Sequence, residues 1–238
     1  MKIVSQVQTR TPVLAISALF AFLLILFPDR GAADNKPELP PLPEHLTLPD
    51  CELGPECPIP FDHLSNQESE PFLFATKLID ENHPRWSQFE DALEQFPDVG
   101  SCLVEDEASK ESPNLLLMDW KKTGYMIGSR VCLFRVASSL DHPTLVQQWM
   151  KYHGFRVGDI QPVLYPARPE KKTRFVGSWT ATQYRKRNPH WFVSLTGFET
   201  VRSWAYSISF NSELRVMDVR PAGSSTFNLS DVSAYGSK

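Results

Sequence analysis

The chain has 238 residues, with 24 basic and 28 acidic side chains and a formal net charge of −4. That balance argues against nucleic acid or an anionic membrane surface as the main partner, although a local basic patch can oppose the average. The length fits one domain with appendages.

The first ten residues carry Lys2 and Arg10 and no acid, and an apolar run follows from Val13 to Phe27, interrupted only by Ser17. This is the order of a positive n-region and an h-region in an export signal. A spanning helix needs about twenty apolar residues, more than the run supplies. Gly31, Ala32 and Ala33 then offer the small residues a signal peptidase requires, so residues 1–33 read as a signal peptide cut before Asp34. The alternative is an uncleaved anchor through residues 13–27, which leaves the remainder on the same, exported side. Loss of Lys2, Arg10, Asp29 and Arg30 leaves 21 basic and 27 acidic residues, a mildly acidic mature protein.

Residues 34–71 contain nine prolines, among them Pro40, Pro41, Pro43, Pro58 and Pro60. Proline lacks an amide donor and fixes φ, so the segment reads as an extended, semi-rigid linker. All four cysteines follow the leader. An even number in an oxidising compartment predicts two disulfides. Spacing favours a small loop from Cys51 to Cys57 and leaves Cys102 for Cys132, the longer loop being worth about 3 kcal/mol.

A globular domain is expected over residues 72–221. Trp86, Phe89, Leu93 and Phe96 recur at helical spacing until Pro97 stops them. A second helix is signalled by Ser139 or Asp141 as cap, Pro143 in the first turn, the stripe Leu145, Val146, Trp149 and Met150, and Gly154 as stop. Trp86 and Trp149 read as core. Strands are expected at 115–120, 125–136, 155–164, 173–184, 190–198, 202–210 and 213–219. In one of them Trp204, Tyr206, Ile208 and Phe210 alternate with Ala205, Ser207, Ser209 and Asn211, which predicts a sheet buried on one face and polar on the other. The fold class is therefore α+β, an antiparallel sheet with about two helices packed on one face. Residues 222–238 read as a flexible tail containing the sequon Asn228-Leu229-Ser230.

His45, Cys51, Cys57 and His63 are spaced six residues apart, but paired thiols would not hold zinc, and no metal is expected. There is no Gly-x-Ser-x-Gly motif and no phosphate loop, so no catalytic residue and no cofactor is assigned. His142, His153 and His190 lie at helix ends or after a turn, where histidine is commonly solvated. Glu105, Asp106 and Glu107 read as a solvated loop.

The remaining candidate is basic: Arg168, Lys171, Lys172 and Arg174 before one strand, and Arg185, Lys186 and Arg187 at its end. At about 3.3 Å per residue the two groups stand roughly 30 Å apart, as opposite tips of a hairpin. Either could contact an anion or a partner. The reading is thus an exported, periplasmic or extracellular, noncatalytic domain that binds a protein partner or an envelope polymer, touching the membrane only if the leader is retained. The alternatives are a secreted hydrolase using carboxylates or a histidine, and a structural envelope protein stabilised by disulfides.

Overall fold

The structure, a computed structural model, describes residues 39–124, 126–163, 172–187, 201–221 and 224–225. The leader, the cleavage site, the strand expected at 190–198, His190, Arg168, Lys171 and the sequon lie outside the described residues. Among those residues no helix is long and apolar enough to cross a membrane.

The architecture is mixed α and β. A short hairpin of β1 (Leu73–Phe74) and β2 (Lys77–Leu78) precedes helices α1 (Trp86–Gln95), α2 (Glu105–Ala108), α3 (Trp120–Thr123), α4 (Ile127–Leu140) and α5 (Pro143–Tyr152). The main sheet then forms from β3 (Arg156–Val157), β4 (Gln161–Val163), β5 (Lys172–Thr180), β6 (Val201–Phe210), β7 (Val216–Pro221) and β8 (Ser224–Ser225), with α6 (Ala181–Arg187) between β5 and β6. Every pairing is antiparallel. β3 and β4 lie along β5, β5 pairs with β6, and β6 is shared by β7 and β8.

The expected alternation in β6 sets the two faces of the sheet. Trp204, Tyr206, Ile208 and Phe210 are buried, and their partners across the β5 ladder include Phe175, Gly177 and Trp179, also facing inward. Phe175 stacks on Phe210 at 5.9 Å and Phe155 on Trp179 at 3.9 Å between ring centroids. Gly177 is required by close approach: a Cβ there would stand 2.3 Å from the Met150 methyl of α5. Ser207 and Ser209 face the other side.

Helices α1 and α5 stand where the apolar spacing predicts. The cap of α5 is neither Ser139 nor Asp141 but His142, whose Nδ1 accepts from the Thr144 amide at 3.2 Å. Asp141 instead closes α4 in the left-handed conformation, φ 48°, its amide donating to Ala137 and Ser138. Gly154, φ 77°, follows α5 as expected.

Three expected strands are corrected. The strand read at 125–136 is helix α4, and twelve of its fourteen residues are buried. A helix surrounded by protein needs no polar stripe, so its apolar run has the same signature as a buried strand. Residues 115–120 hold only one bridge, Leu103 to Met118, before Asp119 caps α3 by accepting from the Lys121 and Lys122 amides. The strand read at 173–184 ends at Thr180, where α6 begins. There Thr180 Oγ1 accepts from the Gln183 amide and Gln183 Oε1 from the Thr180 amide, a capping box that stops the strand. Part of the expected tail is also ordered: Ser224–Ser225 pair with the start of β6, beyond the reach of β7.

The proline-rich segment is not a spacer over its described part. Leu46, Cys57 and Ile59 are buried in the core, and Leu39, Leu42, Leu48, Leu53 and Phe61 pack against it. Proline excludes ladder pairing, but the apolar residues between the prolines can still be buried. The strap is also fixed by hydrogen bonds: the Asp62 amide donates to Ser139 O, the Ser65 amide to Ser139 Oγ, and Asn114 Nδ2 to Gly54 O. Both disulfides form as expected, Cys51 to Cys57 and Cys102 to Cys132. The second joins the loop after α1 to the buried helix α4 and closes the longer loop. Replacing Cys102 and Cys132 by alanine is expected to lower stability in chemical denaturation by about 3 kcal/mol, and more than the same change at Cys51 and Cys57.

Candidate functional site

The basic residues singled out in the sequence separate into two unlike groups. Lys172 and Arg174 stand at the start of β5, while Arg185, Lys186 and Arg187 lie on α6 beyond its end. Arg187 is half-buried, with its guanidinium 4.8 Å from the Trp179 ring centroid, and burial lowers its pKa. It is a packing cation more than a surface contact.

Lys172 and Arg174 belong instead to a basin on the open face of the sheet. The antiparallel register aligns Arg174 on β5, Ser209 on β6 and Asp218 on β7 in one row, and Val176, Ser207 and Arg220 in the next. Arg174, Ser207, Ser209, Asp218 and Arg220 line a pocket of about 200 Å³ together with Lys172, the apolar Val163 and Met217, and Thr76 from the β1–β2 turn. The serines form the floor and the long cations the walls. Arg220, Ser207, Ser209 and Thr76 were not joined to the basic cluster by sequence reasoning, because they come from other strands and a distant turn and meet only through strand register.

Among the described residues Asp218 is the one carboxylate in the pocket wall, and it is 2% exposed. It accepts from the Ala75 amide at 3.1 Å, from Arg130 Nη2 at 3.4 Å and from Arg220 Nε. Arg130 rises from α4, donates through Nε to Val219 O, and lies 4.3 Å from the Phe74 ring centroid. Burial lowers the Arg130 pKa to about 10, against the pull of Asp218. The buried carboxylate is thus neutralised by Arg130, and Arg174 and Arg220 leave the basin positive.

A larger groove of about 550 Å³ runs beside the Cys51–Cys57 loop. Its buried carboxylate, Glu107, is already occupied by Lys110 Nζ at 2.6 Å and the Asn114 amide at 2.8 Å, contacts that lower its pKa. Glu107 is therefore an internal anchor in α2 and not the end of a solvated loop, as the acidic run implied.

The histidines also differ from expectation. His142 and His153 are buried, at 4% and 6% exposure. His153 Nδ1 accepts from Trp120 Nε1 at 3.0 Å, the ring lies 4.1 Å from that of Trp149, and burial drives its pKa down to about 3. His142 Nε2 contacts Pro40 O at 3.3 Å, and burial lowers its pKa too. Both are structural members of the packed layer beneath the sheet. The ring nitrogens of His45 and His63 engage carboxylates: His45 Nε2 and His63 Nδ1 both bind Asp62, at 2.9 and 3.0 Å, and His63 Nε2 binds Glu70 at 2.8 Å. Burial opposes a charge on His63, but Glu70 and Asp62 outweigh it and raise its pKa. Among the described residues no group of three or more acids, cysteines and histidines is placed to share a metal.

No protein-family model matches the chain, and neither does any curated protein or solved structure.

Two outcomes follow from the buried polar groups. Asp218→Ala, which strips Arg130 of its carboxylate, is expected to cost about 3 to 5 kcal/mol in urea denaturation. His153 is neutral when folded, with a pKa below the unfolded value near 6.5, so its contribution is complete above about pH 6.5 and is lost as pH falls toward 3. Between pH 6.5 and 5 the loss from this residue is about 2 kcal/mol. His153→Asn retains an acceptor for Trp120 and does not titrate, so its stability curve should fall less steeply than that of the wild type over the same interval.

Proposed function

We propose that the protein is an exported, noncatalytic domain that binds a protein partner or an envelope component through the open face of its sheet. The observation that carries this reading is the basin in which Lys172, Arg174 and Arg220 surround Ser207 and Ser209 on a face not packed into the core. A local positive surface on a chain of net charge −4 attracts an acidic partner at a defined place, and steers it there.

Export is supported by the leader pattern of residues 1–33 and by two disulfides, which persist in oxidising compartments. Retention by the membrane or by the wall would place the basin where anionic polymers are concentrated. The proline-rich segment supplies no spacer over its described part, because its apolar residues pack against the core.

The reading is tested by cosedimentation of the exported protein with isolated envelope from its host. Wild type should sediment with the envelope and be released as salt is raised, since exposed charges are screened. Arg174→Ala/Arg220→Ala should remain in the supernatant, while Arg185→Ala/Lys186→Ala should sediment like the wild type. Equal retention of all three proteins would overturn the reading.

A further inference from the structure

Building on the open face as the contact surface, we propose that the basin between β5, β6, β7 and the β1–β2 turn is a binding site for a phosphate group. The donors are arranged around a centre. Arg174 and Arg220 stand on outer strands to either side of β6, two strand spacings apart and one two-residue step along, about 12 Å between their backbones. Ser207 and Ser209 lie on the strand between them, and the lining also includes Lys172, Thr76, Asp218 and the apolar Val163 and Met217.

Two guanidiniums and three hydroxyls offer donors from opposite sides and from the strand between them. A carboxylate presents two oxygens in one plane and is satisfied by a single arginine fork, whereas a phosphate presents three peripheral oxygens and more charge. Only the second uses donors from all sides of such a basin. The contact of Arg220 with Asp218 engages Nε, and a guanidinium carries two Nη amino groups in addition. Asp218 also lines the basin, and its charge is offset by Arg130 and by the Ala75 amide.

The turn that brings Thr76 to the rim is costly. Ala75 and Thr76 form a two-residue hairpin loop with φ of 51° and 69°. Both positions of such a loop require positive φ, which asparagine and glycine adopt readily and a β-branched threonine does not. The turn is tied to the sheet by the bond from the Ala75 amide to Asp218, and it places Thr76 in the lining of the basin.

The experiment is calorimetric titration of the full exported protein at constant ionic strength with inorganic phosphate, glycerol phosphate, acetate and galacturonate. Saturable binding of the two phosphates and none of the carboxylates is expected, weakened about tenfold or more by Arg174→Ala and by a smaller factor by Ser209→Ala. Both changes lie on the open face, and unchanged melting temperatures establish that the variants fold. Tighter binding of glycerol phosphate than of inorganic phosphate identifies an esterified polymer as the source, and the reverse order a free phosphate; either order supports the site. Equal binding of galacturonate overturns the phosphate assignment while leaving the open face as a contact surface. Phosphate binding that is indifferent to both substitutions overturns the site itself. No small-anion binding, with envelope retention still lost in Arg174→Ala/Arg220→Ala, overturns the phosphate site and spares the proposed function.

Discussion

The ion pair between Arg130 and Asp218 joins three parts of the fold that apolar packing alone would leave free to slide. Arg130 belongs to the buried helix α4, Asp218 to β7, and the carboxylate also takes the amide of Ala75 in the β1–β2 turn. A buried pair returns little net stability over a hydrophobic replacement, because both ions must be desolvated. What it does supply is direction. Helix, strand and turn meet in one register, and any other alignment of α4 strands a charge.

Arg135, further along the same helix, acts similarly on the strap. It is fully buried, donates through Nη1 to Glu70 O at 2.5 Å and through Nη2 to Gln67 Oε1, and burial lowers its pKa to about 10. Ser139, one turn beyond, receives the Ser65 amide on its hydroxyl and the Asp62 amide on its carbonyl. The segment richest in proline, which cannot pair as a strand, is thereby held by polar groups of a helix. On the outer side of this contact, His63 between Asp62 and Glu70 works in the opposite sense to His153. Its folded pKa is raised, so its stabilisation is complete below about pH 6.5 and is lost as pH rises through the folded value.

Legibility in the sequence followed the environment of each element. Helices α1 and α5 and strand β6 each have one face in the core and one outside, so their periodicity is written in the alternation of apolar and polar residues. Helix α4 has no outside, and its period is erased; Arg130 and Arg135 are the buried cations that tie it to β7 and to the segment around Glu70. In the strap, proline content speaks against strand pairing, whereas its packing is set by the leucines between the prolines, Leu39, Leu42, Leu46, Leu48 and Leu53. The T-x-x-Q pattern from Thr180 to Gln183 was present and would have ended the strand six residues after Arg174. Of the basin, Lys172 and Arg174 were legible as a basic cluster and Ser207 and Ser209 as the polar side of β6. That they share a surface with Arg220 and Thr76 depends on the pairing register, which composition and spacing do not contain.

The shape of the basin follows from the same alternation. A flat sheet has no concavity of its own, and one arises only where short side chains are ringed by long ones. On β6 the outward positions 207 and 209 are serine, while the neighbouring strands contribute Arg174 and Arg220. Apolar residues at the two serine positions would have offered a surface for a helix or a second sheet to cover, as happens on the inner face with Tyr206 and Ile208. Serine instead leaves hydroxyls that need partners and too little apolar area to attract a covering layer. The choice that keeps this face open is therefore also the one that furnishes it with donors, and the buried Arg130 behind Asp218 ensures that those donors stand in a positive field.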